Sequence, residues 1–214
     1  MSQTASARTT THRTTRPIVL GLFVAAAAII GTFVVRSAPT SAPSFIDALR
    51  HDRSGAAAQA DGAVNEADGV LPNGVTVFDD GYPGVANLDP DLLHVLRQAA
   101  TDAAANGIEL YVNSGWRSPE FQNQLLREAV ADYGSEAEAA RWVATPETSA
   151  HVSGNAVDIG SSDATAWLSA HGAGYGLCQT YANESWHYEL HPEAIDRGCP
   201  GLYADPTQDP RMQQ

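Results

Sequence analysis

Ser149-Ala150-His151-Val152-Ser153-Gly154-Asn155-Ala156-Val157-Asp158 places a histidine seven residues before an aspartate, with a glycine between them. The last part of the stretch, continued by Ile159, reads as a strand. Gly154 permits a tight bend, so an approach segment and a strand can bring His151 and Asp158 to one point. Further on, Glu184-Ser185-Trp186-His187 adds a second histidine. Two His and one Asp form a three-ligand set suited to zinc, with the fourth tetrahedral position left open to water. Glu184 is then placed to take a proton from such a water and pass it to a leaving amine.

That reading carries a structural condition. Positions three apart on a strand face opposite sides, so Glu184 and His187 converge only if the chain turns or bulges at Ser185. His187 and His191 form an i, i+4 pair, the spacing of a helical zinc site. The alternation of Trp186, Tyr188 and Leu190, followed by Pro192, argues for a strand instead, and no HExxH occurs. Taken singly, a histidine is more often a surface or satisfied core residue than a ligand, and Asp158 can serve as a turn or cap.

Around these motifs the chain alternates helical and strand-like stretches irregularly. Asp89-Pro90-Asp91 opens a helix with Pro in its first turn and acids at the positive end of the dipole. Leu92, Leu93, Val95, Leu96, Ala99 and Ala100 continue it, and Asn106-Gly107 ends it. Ile108 to Asn113 is predicted as a strand. Helices are predicted from Ser118 to about Gly134, from Ser135 to about Ala144, and around Asp163 to Ala170. Ser185 to Leu190 is the last strand. Helices cluster early and strands do not alternate regularly with them, which favours a single α+β domain with a small antiparallel sheet over a doubly wound one.

The charge is unevenly placed. All twelve basic residues are Arg, against 25 acids, for a net charge of −13. Residues 1–36 hold four Arg and no acid, so the remainder is strongly acidic. No clustered basic surface of the kind nucleic acid requires is present. Residues 17–35 carry no charge and are dominated by Ile, Val, Leu, Ala and Phe. As a helix they would span roughly 28 Å, near the thickness of a bilayer core. Arg8, Arg13 and Arg16 precede them, so residues 1–16 are expected in the cytoplasm and everything after Val35 outside. An uncleaved single-pass anchor is the expectation. The alternative is a signal peptide cleaved near Ser37-Ala38 or Ser41-Ala42, which would make the protein secreted. Residues 36–69 read as a flexible tether, 70–204 as the folded domain and 205–214 as a tail.

An exported domain meets an oxidising environment, and this chain has two cysteines, Cys178 and Cys199. A bridge closing a loop of that length contributes on the order of 3 kcal/mol. The alternative is a pair of buried free thiols.

Ser149-x-His151-x-x-Gly154-x-Ala156-x-Asp158 and Glu184-x-Trp186-His187, preceded by Ser114-Gly115-Trp116-Arg117-Ser118, resemble the signature of the VanY-type D-alanyl-D-alanine carboxypeptidases. These are M15 zinc peptidases, related in fold to the VanX dipeptidases and the hedgehog signalling domain. The resemblance covers about residues 70–200. It implies one zinc per chain held by His151, Asp158 and His187, with Glu184 as catalytic base and Arg117 stabilising the oxyanion. Gln122, Ser149 and Ser153 fall near the implied substrate, with Ser149 the first candidate for its terminal carboxylate. Ser149 and Ser153 can equally hold their loop, Gln122 can be an exposed helix residue, and Arg117 can order its loop by a salt bridge. Two departures are visible: a short segment from Leu177 to Asn183, and Ser185 where relatives often have Pro.

The implied activity is removal of the terminal D-Ala from peptidoglycan stem peptides by a monomeric, membrane-tethered enzyme. An LD-carboxypeptidase or peptidoglycan endopeptidase with the same metal site is the nearest alternative. A catalytically silent, zinc-containing wall-binding module is another, disfavoured by the presence of Glu184.

Overall fold

The structure, a computed structural model, describes residues 63–213. The apolar segment 17–35, and with it the expected anchor, lies outside the described residues. Among those described, no helix is long and apolar enough to cross a membrane.

Three longer helices carry the architecture: α1, Pro90–Ala105; α2, Pro119–Tyr133; and α3, Ser162–His171. Each begins at a side-chain cap. Asp89 accepts from the amides of Asp91 and Leu92, Ser118 from Phe121, and Ser161 from Ala164. Four strands, β1 (Tyr111–Ser114), β2 (Ala156–Gly160), β3 (Leu177–Gln179) and β4 (His187–Leu190), form one antiparallel sheet in the order β1-β2-β4-β3. The α+β expectation therefore describes the domain.

Some boundaries differ from the sequence reading. The first strand starts at Tyr111 rather than Ile108, because the Ile108 amide is still bonded to the Ala103 carbonyl at the end of α1. The helix expected over 135–144 is a single turn, Glu136–Ala139. Its apolar content is too sparse to dock a longer helix, with Ala139 its one buried residue. Pro146 then biases the preceding residue away from helical backbone. Strand β3 has three residues, too few to show an alternation in the sequence.

One face of the sheet meets α1 and α3. Leu92, Leu96, Ala99 and Ala103 of α1 and Ala164, Trp167 and Leu168 of α3 pack with Val112, Val157, Ile159, Leu177 and Tyr188 from the four strands. By strand alternation the opposite face carries Asp158 from β2 and His187 and Glu189 from β4. A bulge in β1 adds Ser114 to that face. Val112 pairs with Ile159 and Ser114 with Asp158, so the extra residue Asn113 shifts the register by one and turns Ser114 away from the core.

Residues 63–69 and 205–213 are also folded. Glu66–Asp68 forms a turn with a reciprocal cap from Asn65, and Asp68 accepts from both the amide and the hydroxyl of Ser118. The stretch from Asp205, expected as a tail, makes two helical turns, and Asp209 is fully buried. Cys178 and Cys199 are joined by a disulfide.

Candidate metal centre and active site

His151 sits in a run of tight turns between Ser149 and Asn155. The amides of Ser153, Gly154 and Asn155 bond to the carbonyls of Ser149, His151 and Ala150. Gly154 has φ +77°, and a Cβ there would lie 2.6 Å from the Asn87 carbonyl oxygen, so both conformation and space require glycine. This is the bend that the spacing of His151 and Asp158 demanded. The second condition is met as well. The His187 amide bonds to the Glu184 carbonyl at 3.2 Å, a turn through Ser185 and Trp186 that enters β4 at His187.

The outcome is a buried cluster. One ligand atom from each of His151, Asp158 and His187 lies within 4.8 Å of the others. His151 Nε2 is 3.2 Å from His187 Nδ1, and each of these nitrogens is 3.3 Å from Asp158 Oδ1.

The groups behind this cluster fit a divalent metal. His151 Nδ1 lies 2.8 Å from the Gly115 carbonyl, which can only accept, so the proton sits on Nδ1 and the Nε2 lone pair faces the cluster. His187 Nε2 lies 3.2 Å from the Glu189 carboxylate, an acceptor that would keep the outer proton when Nδ1 takes a metal in place of its own. The second oxygen of Asp158 accepts from Arg117 Nη2 at 2.7 Å, which turns Oδ1 inward. Two imidazole nitrogens and one carboxylate oxygen make a donor set that zinc accepts readily.

Burial and charge tune these groups. Burial lowers the His151 imidazole below its ordinary value, and the Arg117 charge adds to this. For His187 burial is outweighed by hydrogen bonds to Asp158 and Glu189, which raise it to about 10. Burial also works against the Asp158 carboxylate, yet His151, His187 and Arg117 hold it well below the ordinary range. Glu184 goes the other way, pushed up to about 7 by burial. Its Oε2 is 3.8 Å from His187 Nδ1, and its buried Oε1 has no hydrogen-bond partner.

Arg117 is buried beside the cluster. Nε donates to Ser114 Oγ at 2.7 Å and Nη1 to Gln122 Oε1 at 3.1 Å. Gln122 is itself fully buried, with its amide donating to the Ala144 carbonyl. Ser149 is buried two residues before His151. Ser153 is exposed, and its hydroxyl donates to the Ala150 carbonyl and accepts from Asn155 within its own loop.

The sequence reading gave no role to Glu189, Arg211, Asp209 or Tyr181. Glu189 shares the His187 face of β4 by simple alternation, a signal present in the sequence. Arg211 and Asp209 lie in the stretch expected as a tail, and nothing local marked them.

Residues 86–193 match the family model for VanY, D-alanyl-D-alanine carboxypeptidase. The chain belongs to this family. A D-alanyl-D-alanine carboxypeptidase of Enterococcus faecalis (strain ATCC 700802 / V583) is 33% identical, over 40% of this chain and 41% of that protein. The chain thus matches about two fifths of that relative's length. A crystal structure of a variant of the vancomycin resistance D,D-pentapeptidase VanY, from a VanB-type resistance cassette and in complex with Zn(II), superposes with a TM-score of 0.50. It is 29% identical in sequence, and the match covers 54% of this chain and 80% of that one. His151, Asp158, Glu184 and His187 all fall inside the stretch matched by the VanY family model.

Proposed function

We propose that this VanY-family protein is a zinc-dependent D-alanyl-D-alanine carboxypeptidase that removes the terminal D-Ala from peptidoglycan stem peptides, with one zinc per chain. The observation that carries this reading is the convergence of His151 Nε2, Asp158 Oδ1 and His187 Nδ1 beside the buried Glu184. The Zn(II) complex of the similar VanY structure and the name of the Enterococcus relative support metal and substrate class.

A bound zinc ion supplies Lewis acidity, which lowers the pKa of a water toward neutrality and polarises the scissile carbonyl. Glu184 accepts the proton of the attacking water at its carboxylate and delivers it to the amine nitrogen of the departing D-Ala. A carboxyl raised to about 7 suits both halves of that transfer near neutral pH. Arg117 orients Asp158 through its second oxygen, and its positive charge favours the oxyanion that develops at the carbonyl. Gln122 and Ser114 hold the guanidinium in that place. Ser149 is our candidate for the substrate's terminal carboxylate.

The reading also places residues 17–35 in the cytoplasmic membrane with the domain, from about residue 70, outside it. The basic flank of that segment and the disulfide support this compartment.

The test is to incubate the zinc-loaded full chain with penta- and tetrapeptide stems and weigh the products. Loss of D-Ala from the pentapeptide is expected. Release from the tetrapeptide alone would replace the DD assignment with an LD one, cleavage within cross-links would indicate an endopeptidase, and binding without cleavage would leave a recognition module.

A further inference from the structure

Behind His187 runs a line of polar contacts that the proposed reaction does not use. Glu189, two residues on and on the same face of β4, is 4% exposed. A buried carboxylate is unfavourable unless paired and hydrogen-bonded. Glu189 is paired on both sides: with His187 Nε2 at 3.2 Å, and with Arg211, whose Nη1 and Nη2 donate to its two oxygens at 2.6 and 3.1 Å. Arg211 is gripped in turn by the buried Asp209. Asp209 also accepts from the Tyr181 hydroxyl at 3.0 Å, and the Tyr181 ring lies 5.1 Å from the His187 ring. The imidazole is therefore held at its edge by Glu189 and flanked by the tilted Tyr181 ring. Cys178, the cross-strand partner of Glu189, is bridged to Cys199 and steadies the backbone from β3.

We infer that Glu189 is a positioning residue for His187, held in its working orientation by Arg211. The inference rests on His187 serving as a metal ligand, as proposed above. A carboxylate accepting the outer N–H of a ligating histidine fixes the tautomer and ring angle and makes the inner nitrogen a stronger donor. Arg211 matters because its fork occupies both oxygens of Glu189 and prevents the carboxylate from rotating away from the ring. Residue 211 lies beyond the stretch matched by the VanY family model.

The alternative is that Glu189 and Arg211 merely fasten residues 205–213 to the sheet. Zinc affinity separates the two. The full chain, Glu189→Gln, Arg211→Gln, the double variant and His187→Ala would each be titrated with zinc against a chromophoric chelator, with folding followed by circular dichroism. We expect Glu189→Gln to bind zinc about 10- to 100-fold more weakly than the wild type. Arg211→Gln should weaken binding in the same direction, and the double variant should show no loss beyond that of Glu189→Gln, because both act through one ring. Unchanged zinc affinity in Glu189→Gln, with loss in His187→Ala, overturns the positioning role alone. A wild type that binds no zinc, or a His187→Ala variant that binds it normally, overturns the metal reading and this inference with it. If Glu189→Gln does not fold, the half-exposed Arg211→Gln decides: weakened zinc binding supports the role, and unchanged binding overturns it.

Discussion

Asp158 of β2 and His187 of β4 stand directly opposite each other as cross-strand partners. Two of the three proposed ligands are thus set by one rung of the sheet, whose other face is packed on α1 and α3. Asp158 serves both sides of the site, with one oxygen toward the histidines and the other on Arg117. Asp158→Ala and His187→Ala should therefore differ. Both should lose zinc and hydrolysis, but only Asp158→Ala leaves the buried Arg117 guanidinium without its carboxylate. An additional loss of about 3–5 kcal/mol is expected for that variant, read from urea unfolding of the metal-free proteins. Equal stabilities would show that the Arg117 pair contributes little. Stripping zinc from the wild type with a chelator should abolish hydrolysis, and adding zinc back should restore it.

Glu184 lies beside the ligand cluster without belonging to it, and its Oε1 has no hydrogen-bond partner. Glu184→Gln keeps the shape and removes the basicity. It should retain zinc and fold while the turnover rate on pentapeptide stems falls about 10²- to 10⁴-fold. A variant that turns over normally would remove Glu184 from the proton path.

Gly115 is crowded from both sides of the chain. A Cβ there would lie 2.0 Å from the Gly84 carbonyl oxygen, which accepts from the Trp116 amide, and the Gly115 carbonyl faces His151 Nδ1. Gly115→Ala should destabilise the domain by about 1–3 kcal/mol through overpacking. It should also weaken zinc binding, because the shifted carbonyl no longer fixes the His151 ring. Thermal unfolding with and without zinc would separate the two effects, and a variant with wild-type affinity would show that the carbonyl is dispensable.

Asp209 offers a test that does not involve the metal. Burial opposes its carboxylate, but hydrogen bonds from Arg211 and Tyr181 hold it below its ordinary value. A depressed folded pKa stabilises the fold above the unfolded value of roughly 3.9 and ceases to do so as pH falls through the folded value. Asp209→Asn should therefore be less stable than wild type at pH 7, and the difference should shrink in acid. Urea midpoints measured from pH 7 downward would show this, and a difference that grows in acid would contradict it.

Much of the site was legible because it depends on local rules. The bend at Gly154 follows from spacing and glycine's freedom, and the turn at Ser185 follows from the requirement that Glu184 and His187 converge. The long helix of residues 90–105 announced itself by its cap and its apolar stripe. What escaped depended on distant partners. The bulge at Asn113 is defined only against β2, and the buried state of Gln122 depends on Arg117 and the Ala144 carbonyl. The burial of Asp209 has the same character, since its partner Tyr181 lies 28 residues away.

The disulfide has a consequence beyond stability. Cys178 and Cys199 bracket Glu184, His187 and Glu189, so one covalent stitch encloses the proposed proton carrier, one proposed metal ligand and the carboxylate behind it. Reduction would release β3 from the segment that follows β4 while leaving His151 and Asp158 on an intact scaffold. The bridge thereby ties β3 to the segment that follows β4, so the stretch that carries these three residues is closed covalently at both ends.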